Sequence, residues 1–221
     1  MSEQVDLKLY GYWRSSATYR VRIALNLKAL PYEYVPISLV ADGGQHKTAE
    51  YQNINPSMLV PTFVDTDKDI TLYQSLAIIE YLDEKYASGT QLMPKHTLDR
   101  ARVRMYAQDI ACDVQPLANS GVIKKSQTLF NANDEQTAAW SRYWISKGFT
   151  ALSKKLAGRS GEYCYGYDIT LVDVCLVPQV YNAERLGINM DEFPLLQKIN
   201  RNCLTLDAFK DASPERQVDA K

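Results

Sequence analysis

Hydroxyl and guanidinium side chains cluster in residues 10–20, where a short β-type run gives way to a helical pattern. Ser15 and Ser16 stand just ahead of that helix, and Arg14 and Arg20 lie on either side of them. Serine at such a position predicts a helix N-cap. The free N–H groups of a helix start favour an anion or a thiolate. The segment therefore predicts either an anion-binding helix start or a capped helix with solvated arginines.

A second candidate for chemistry is Val60-Pro61, directly ahead of an apolar strand pattern. Proline removes a backbone donor and restricts the residue before it. A cis bond at this point would turn the N–H and C=O of Val60 outward, toward an extended peptide ligand. With a trans bond the same residues would form an ordinary strand edge.

Two further motifs open apolar helical patterns. Ser75 is predicted to be an N-cap, and its hydroxyl and the helix start could also hold a carboxylate, with Gln74 adding an amide. Thr170 and Asp173 have the spacing of a capping box. We interpret this last pair as a folding signal and not as catalytic residues.

Composition narrows the functional classes. The chain has 221 residues, 46% hydrophobic and 23% charged, with a formal net charge of −1. This balance is that of an ordinary globular protein, and it argues against a nucleic-acid partner. No apolar run approaches the ~20 residues that span a bilayer, and the polar residues 1–6 do not resemble a secretory signal.

The cysteine pattern bears on metal binding and on the cellular compartment. The four cysteines show neither metal-type spacing nor a Cys-x-x-Cys pair, so we expect reduced thiols, no metal and a cytoplasmic protein.

The first half of the chain alternates strand and helix patterns, which predicts an α/β domain. The expected strands and helices are residues 7–10, 18–30, 32–36, 62–64, 70–72 and 76–82, in the order β-α-β-β-β-α. This order is that of a thioredoxin-like domain. Because the usual redox pair of cysteines is missing, the domain is expected to bind a thiol instead of exchanging disulfides.

After a linker at residues 88–94 the pattern becomes almost entirely helical. We therefore predict two domains, residues 1–87 and an all-α domain of residues 93–221. The expected helices are 97–112 (continuing past a break near Pro116), 134–156, 170–186 and 193–206. Residues 212–221 lack an apolar stripe and are predicted to be a loose tail.

Taken together, residues 7–209 resemble the cytosolic glutathione transferases, and within them the zeta class. The segments that carry the resemblance are residues 13–16, 19–25, 42–45, 55–56, 60–61, 74–82, 115–117, 173–180 and 182–185. The resemblance implies that fold, a homodimer and glutathione as the cofactor.

The resemblance also implies where glutathione binds. The expected contacts are Ser15, Ser16, Ala17, His46, Val60, Gln74, Ser75 and Gln115. The loop contact falls at Gln45 or His46, and His46 stands where relatives usually carry glutamine, so an exposed loop residue is the alternative for it.

The implied catalytic residues are serines at the helix start. Ser15 is expected to lower the pKa of the glutathione thiol through a donated hydrogen bond. Ser16 either contributes or caps the helix. Tyr10 and Tyr12 are the rivals, because other transferase classes use an N-terminal tyrosine for this step.

The implied reaction is the cis–trans isomerisation of maleylacetoacetate to fumarylacetoacetate, in tyrosine and phenylalanine catabolism. The thiolate adds to the double bond, the resulting single bond rotates, and elimination leaves the trans product. A dicarboxylate substrate suits arginine. The expected substrate contacts are Arg14, Arg185, Asn119 and Ser120, and structural ion pairing is the alternative for the two arginines.

Other functions stay open at this point. They are maleylpyruvate isomerisation, general conjugation of glutathione to electrophiles, and a glutathione-binding scaffold. The class usually reads Ser-Ser-Cys where this chain has Ser15-Ser16-Ala17. The alanine argues against an essential thiol on the protein, and it brings the chain closer to bacterial maleylpyruvate isomerases.

Overall fold

The computed structural model describes residues 6–221. The prediction that residues 1–6 are not a secretory signal therefore concerns a segment that lies almost wholly outside the described residues. The chain divides into two compact units. The sheet unit comprises Met1–Gln91 together with Leu206–Lys221, and the helical unit is Leu92–Thr205.

A mixed four-stranded sheet forms the centre of the sheet unit. Its strands are β1 (Leu7–Gly11), β2 (Glu33–Pro36), β3 (Thr62–Asp65) and β4 (Ile70–Tyr73). Their order across the sheet is β2-β1-β3-β4, with β1 parallel to β2 and antiparallel to β3, and β3 antiparallel to β4. The predicted strands and the predicted hairpin are all present, with ends shifted by one residue.

Three helices accompany this sheet: α1 (Ser16–Leu27), α2 (Ala49–Ile54) and α3 (Ser75–Lys85). Helix α1 packs against α3. It ends three residues earlier than predicted, because Ala29 has a φ of 52° and Thr90 N–H donates to the Leu27 carbonyl at 2.9 Å. Sequence analysis missed α2, which at six residues is too short to show a helical period.

The predicted N-cap of α3 is wrong by one residue. Gln74 occupies the cap position with a φ of 68°, and Ser75 is the first helical residue. The hydroxyl of Ser75 accepts a hydrogen bond from Arg20 instead of capping the helix. This contact between two helices leaves no sign in the local sequence.

The helical unit contains five long helices within its described residues. They are α4 (Thr97–Gln108), α5 (Ser120–Phe130), α6 (Asp134–Leu156), α7 (Leu171–Arg185) and α8 (Pro194–Cys203). Helix α4 is shorter than predicted because a π-helical segment, Asp109–Val114, and a 3₁₀ turn, Gln115–Ala118, follow it. The expected continuation past the break near Pro116 is the separate helix α5, whose bounds were not predicted because it has no buried residue and so lacks a stripe facing a core.

The capping motif at the start of α7 is structural, as predicted. The buried Asp173 carboxylate accepts hydrogen bonds from the N–H groups of Cys164 at 2.7 Å and Thr170 at 2.8 Å. Burial raises the pKa of Asp173, and these hydrogen bonds oppose that rise.

The C-terminal segment differs from its prediction. Residues Asp207–Asp211, just ahead of the predicted tail, form α9, and Phe209 and Ala212 are fully buried. Side chains of α1 donate to its carbonyls, from Asn26 to Ala208 at 3.0 Å and from Arg22 to Ala212 at 2.8 Å. The prediction of a loose tail is wrong, because Arg22 of α1 binds the Ala212 carbonyl and the Trp13 N–H donates to the Asp219 carboxylate within the sheet unit.

Within residues 6–221, no helix has both the length and the apolar character needed to cross a bilayer.

Candidate active site

Strand register brings three of the predicted binding segments to one end of the sheet. Tyr10 pairs with Thr62, and Thr62 pairs in turn with Tyr73, so these residues form one row across β1, β3 and β4. From this row β1 leads into the turn before Ser15, β4 leads into α3, and Val60 lies just ahead of β3. The sheet therefore gathers segments that are far apart in sequence.

Ser15 is the N-cap of α1. Its Oγ accepts the Thr18 N–H at 3.2 Å, and its own N–H donates to the Tyr12 carbonyl at 2.9 Å. Because the hydroxyl acts as an acceptor here, its proton stays available for donation to a ligand. Ser16 is buried in the first turn of the helix. The predicted serine cap is confirmed, and it falls on Ser15.

Side chains of α2 and the following loop hold the chain around Val60. The Val60–Pro61 bond is cis, as one of the two alternatives predicted. Asn55 Nδ2 donates to the Leu59 carbonyl at 2.8 Å and to Thr62 Oγ1 at 3.0 Å, and Tyr51 Oη donates to the same carbonyl at 2.8 Å. Within the described part of the chain, the backbone N–H and C=O of Val60 form no hydrogen bond.

Arg20 and Ser75 join the starts of two helices. Arg20 is 2% exposed, and its Nη1 donates to Ser75 Oγ at 3.3 Å. Ser75 is buried at the first position of α3, while Gln74 before it is exposed. The guanidinium is positively charged and the helix N-terminus carries a partial positive charge, so both favour a bound anion.

Comparisons with known proteins point to one family. A family model described as "Glutathione S-transferase, N-terminal domain" matches residues 9–90. A probable maleylacetoacetate isomerase of Vibrio cholerae is 48% identical over 98% of this chain and 99% of its own length. A holo structure of maleyl pyruvate isomerase, described as a bacterial zeta-class glutathione transferase, is 39% identical with a TM-score of 0.92, covering 97% of this chain and 100% of that one.

The chain belongs to the zeta class of glutathione transferases.

A second solved member of the class shows a ligand. The maleylacetoacetate isomerase of Methylobacterium extorquens, solved with bound malonate and glutathione, is 36% identical with a TM-score of 0.92, and the match covers 97% of this chain and 99% of that one. The predicted family, the glutathione transferase fold and the assignment as an enzyme are thereby confirmed for this zeta-class chain.

The loop expected to contact glutathione in this transferase contains a 3₁₀ turn, Gln45–Lys47. Gln45 Oε1 accepts the Ser38 N–H at 2.8 Å, so this side chain is used to hold the loop. His46 is half-buried, and desolvation, followed by the charge of Lys47, lowers its pKa. Gln45 and His46 both stay candidates for the ligand contact.

The rival tyrosines have other contacts. Tyr12 is 8% exposed, and its ring lies edge-on to Trp13 at 5.9 Å. The ring of Tyr10 lies 6.4 Å from that of Tyr51. Ser15 has no such packing role, and its hydroxyl sits at the helix start.

The remaining predicted residues stay candidates. In the sheet unit, Ala17 lies in the first turn of α1, and the Arg14 guanidinium lies 5.4 Å from the centre of the Trp13 ring. In the helical unit, Gln115 begins a 3₁₀ turn and Arg185 is exposed in the last turn of α7.

The start of α5 carries the last two candidates of the helical unit. Asn119 is the N-cap of this helix, and its Oδ1 accepts the Gly121 N–H at 2.8 Å. This bond gives Asn119 a structural task that its spacing did not reveal. Ser120, next to it, is exposed.

Two residues of the candidate site had no role assigned from the sequence. Arg20 was noted beside the serines but was not assigned to binding, and the contact with Ser75 depends on the packing of α1 against α3. Asn55 was noted only as part of a matching segment, and its two hydrogen bonds show that it supports the loop around Val60. Across residues 6–221 there is no cluster of His, Cys, Asp and Glu side chains suited to a metal ion.

Proposed function

We propose that this zeta-class transferase uses glutathione to isomerise maleylacetoacetate to fumarylacetoacetate, a step of tyrosine and phenylalanine catabolism. The observation that carries the proposal is the convergence of Ser15, Val60 and the start of α3 at one end of the sheet. Glutathione is a short extended peptide with a thiol and carboxylates, and these three positions offer it complementary groups. The names of the relatives supply the substrate.

The residues fit glutathione at each position. The unbonded backbone N–H and C=O of Val60 suit the cysteinyl backbone of the tripeptide. Ser75 accepts from Arg20 and so keeps its own proton to donate to the γ-glutamyl carboxylate, with Gln74 beside it. Ala17, His46 and Gln115 complete the proposed contacts.

Ser15 is proposed to hold the thiol as a thiolate. A free thiol has a pKa near ~8.5, and a helix N-terminus with a donated hydrogen bond lowers it toward neutrality. Each pKa unit corresponds to ~1.4 kcal/mol, which is about what one hydrogen bond to a charged atom provides. The bound cofactor supplies the nucleophile that adds to the cis double bond and leaves after rotation. Ser16 supports the start of the helix beside Ser15.

The substrate carries two carboxylates, so we propose that Arg14 and Arg185 bind them, with Asn119 and Ser120 as polar neighbours. Arginine suits this work because its planar guanidinium can donate two parallel hydrogen bonds to one carboxylate. The exposed position of Arg185 on α7 and the half-buried position of Arg14 leave both side chains accessible.

Maleylpyruvate isomerisation is the second candidate. Ala17 favours it, because bacterial maleylpyruvate isomerases also lack the cysteine found at this position in other members of the class, and one relative of that name is 39% identical over 97% of this chain. Conjugation of glutathione to other electrophiles would be a side reaction, since it uses the same glutathione thiolate as nucleophile. A scaffold without activity is disfavoured, since a degenerate copy would be expected to have lost Ser15, Gln74 or Ser75.

A spectrophotometric assay with each acid tests the proposal. The purified protein is given maleylacetoacetate or maleylpyruvate, with and without glutathione, and loss of the cis acid is followed by absorbance. We expect glutathione-dependent turnover with a higher kcat/KM for maleylacetoacetate. Turnover without glutathione would refute the cofactor role, and preference for maleylpyruvate would favour the second candidate. Glutathione binding with no turnover of either acid would support conjugation or a scaffold.

We also propose a cytoplasmic homodimer. Support comes from the class resemblance and from four cysteines whose spacing is that of reduced thiols. Sedimentation equilibrium should give twice the mass of the chain, and cell fractionation should recover the protein with cytoplasmic markers.

A further inference from the structure

The end of the chain contacts the turn that precedes Ser15. Trp13 N–H donates to Asp219 Oδ2 at 3.0 Å, a contact between residues 206 positions apart within the sheet unit. The Trp13 carbonyl accepts from Arg22 Nη2 at 3.0 Å. Both backbone polar groups of Trp13 are therefore held by charged side chains, which form stronger hydrogen bonds than neutral ones.

Arg22 connects this contact to the rest of the tail. Its side chain is fully buried, its Nε donates to the Ala212 carbonyl at 2.8 Å, and its guanidinium lies 5.3 Å from the centre of the Tyr19 ring. Asp219 is close enough to oppose the lowering of the Arg22 pKa that burial causes. One guanidinium thus joins the tail and the turn before Ser15.

The contact bears on Ser15 because of the turn it supports. Ser15 N–H donates to the Tyr12 carbonyl at 2.9 Å, so Trp13 and Arg14 are the two central residues of a turn that ends on Ser15. A turn with Trp13 held at both backbone groups has less freedom, and the Ser15 hydroxyl is presented in one place.

Apolar burial does little to keep the last residues in place. Val218, next to Asp219, is 84% exposed, and Lys221 is exposed as well. The hydrogen bond from Trp13 N–H to the Asp219 carboxylate is therefore a direct polar attachment of these residues to the turn.

We propose that Asp219 is a positioning residue, which holds the turn at Trp13 and through it places the Ser15 hydroxyl for the glutathione thiol. The proposal rests on the proposed role of Ser15. Asp219 acts through the backbone and not on the substrate, so its loss should alter the state of the bound thiol more than the affinity for glutathione.

The test compares Asp219→Ala and Asp219→Asn with a matched control on the same tail, Asp211→Ala. Asp211 pairs with Arg216 at the surface and does not contact the turn, so its variant removes an ion pair of the tail alone. A chain ending at Gln217 is the fourth variant. Two measurements do not involve turnover: amide hydrogen exchange of residues 10–16 without ligand, and the thiolate absorbance of bound glutathione against pH.

For Asp219→Ala we expect exchange at residues 10–16 to speed up about tenfold or more. We also expect a higher pKa of the bound thiol, a kcat at neutral pH about tenfold lower, and a glutathione Kd within about threefold of wild type, since one pKa unit is a factor of ten in thiolate. The chain ending at Gln217 should behave in the same way. Asp219→Asn should restore most of the wild-type amide exchange rate and of the wild-type thiol pKa, because its amide oxygen still accepts the Trp13 N–H. Asp211→Ala should match wild type.

Wild-type exchange in Asp219→Ala and in the chain ending at Gln217 would overturn the proposal. Faster exchange with an unchanged thiol pKa would overturn it as well, because the tail would then hold the turn without placing Ser15. Full activity of Ser15→Ala would instead refute the proposed role of Ser15, and the exchange measurement would still report on the contact itself.

Discussion

Arg20 Nη1 lies 3.3 Å from Ser75 Oγ, and this buried contact joins the start of α3 to the first turns of α1. The two proposed ends of the glutathione site, the thiol end at Ser15 and the carboxylate end at Ser75, are thus tied to each other through one side chain. A change at either helix start should be felt in glutathione binding.

Ser15→Ala should lower kcat about tenfold or more at neutral pH while glutathione still binds, since the thiol loses its donor and each pKa unit is a factor of ten in thiolate. Ser15→Thr is the matched control, because it keeps both the hydroxyl and the N-cap. The measurement is kcat against pH. A wild-type profile for Ser15→Ala would shift the role to Tyr10, Tyr12 or the helix end alone.

Ser75→Ala should weaken glutathione binding about tenfold with a smaller change in kcat. The variant removes a donor for the γ-glutamyl carboxylate and leaves Arg20 without its Ser75 acceptor. Ser126→Ala, in the helical unit, removes a helix serine that donates only to the Ile123 carbonyl at 2.8 Å and should leave binding unchanged. Isothermal titration calorimetry gives both Kd values, and equal affinity for the two variants would contradict the proposed contact.

Arg185→Ala should raise KM for the dicarboxylate several-fold with little change in kcat, because a cation that binds a distant carboxylate contributes to ground-state and transition-state binding alike. Arg201→Ala is the control, since this exposed arginine donates to Gln197 at 2.9 Å on another helix. Steady-state kinetics at saturating glutathione decide the matter. An unchanged KM would indicate that Arg185 is an ordinary surface residue.

Loss of one partner of the buried Lys28–Asp83 ion pair should destabilise the sheet unit. Lys28 Nζ lies 3.3 Å from Asp83 Oδ1, and the two side chains are 0% and 3% exposed. Removing one partner leaves a buried charge, so Lys28→Met should lower the free energy of unfolding by about 3–5 kcal/mol. Lys28→Met combined with Asp83→Leu should recover part of that loss. Asp207→Asn, which breaks the exposed pair with Lys210, should cost less than about 1 kcal/mol. Urea unfolding followed by circular dichroism measures each value.

Thiol reactivity should distinguish one cysteine from the other three. Cys164, Cys175 and Cys203 are fully buried, whereas Cys112 is exposed. Burial also raises the pKa of the Cys164 and Cys203 thiols, so their thiolate is scarce. Ellman's reagent at pH 8 should titrate one thiol in the folded protein and four in guanidinium chloride. Reaction of a second thiol in the native protein would mean that the helical unit opens readily.

Local pattern was enough for the four strands and the longer apolar helices of this protein, and for the groups that carry chemistry. The alternation of short strands and helices predicted the α/β unit, and the helical period predicted α6 with both ends correct, because its apolar residues recur over 23 residues and it starts at a capping box. The serines ahead of α1, the proline after Val60 and the serine at α3 mark the ends of strands and helices, and Ser15 satisfies a free backbone N–H there.

Tertiary packing decided what those groups contact. Three contacts illustrate this. Asp219 accepts from Trp13, Ser75 accepts from Arg20, and Asn55 donates to the Leu59 carbonyl. These hydrogen bonds have no periodic signature, and two of them, Trp13 with Asp219 and Arg20 with Ser75, form only after parts of the chain far apart in sequence have packed together. The sequence by itself determined which residues could bind a thiol and a carboxylate. The register of β1, β3 and β4 places those residues at one end of the sheet.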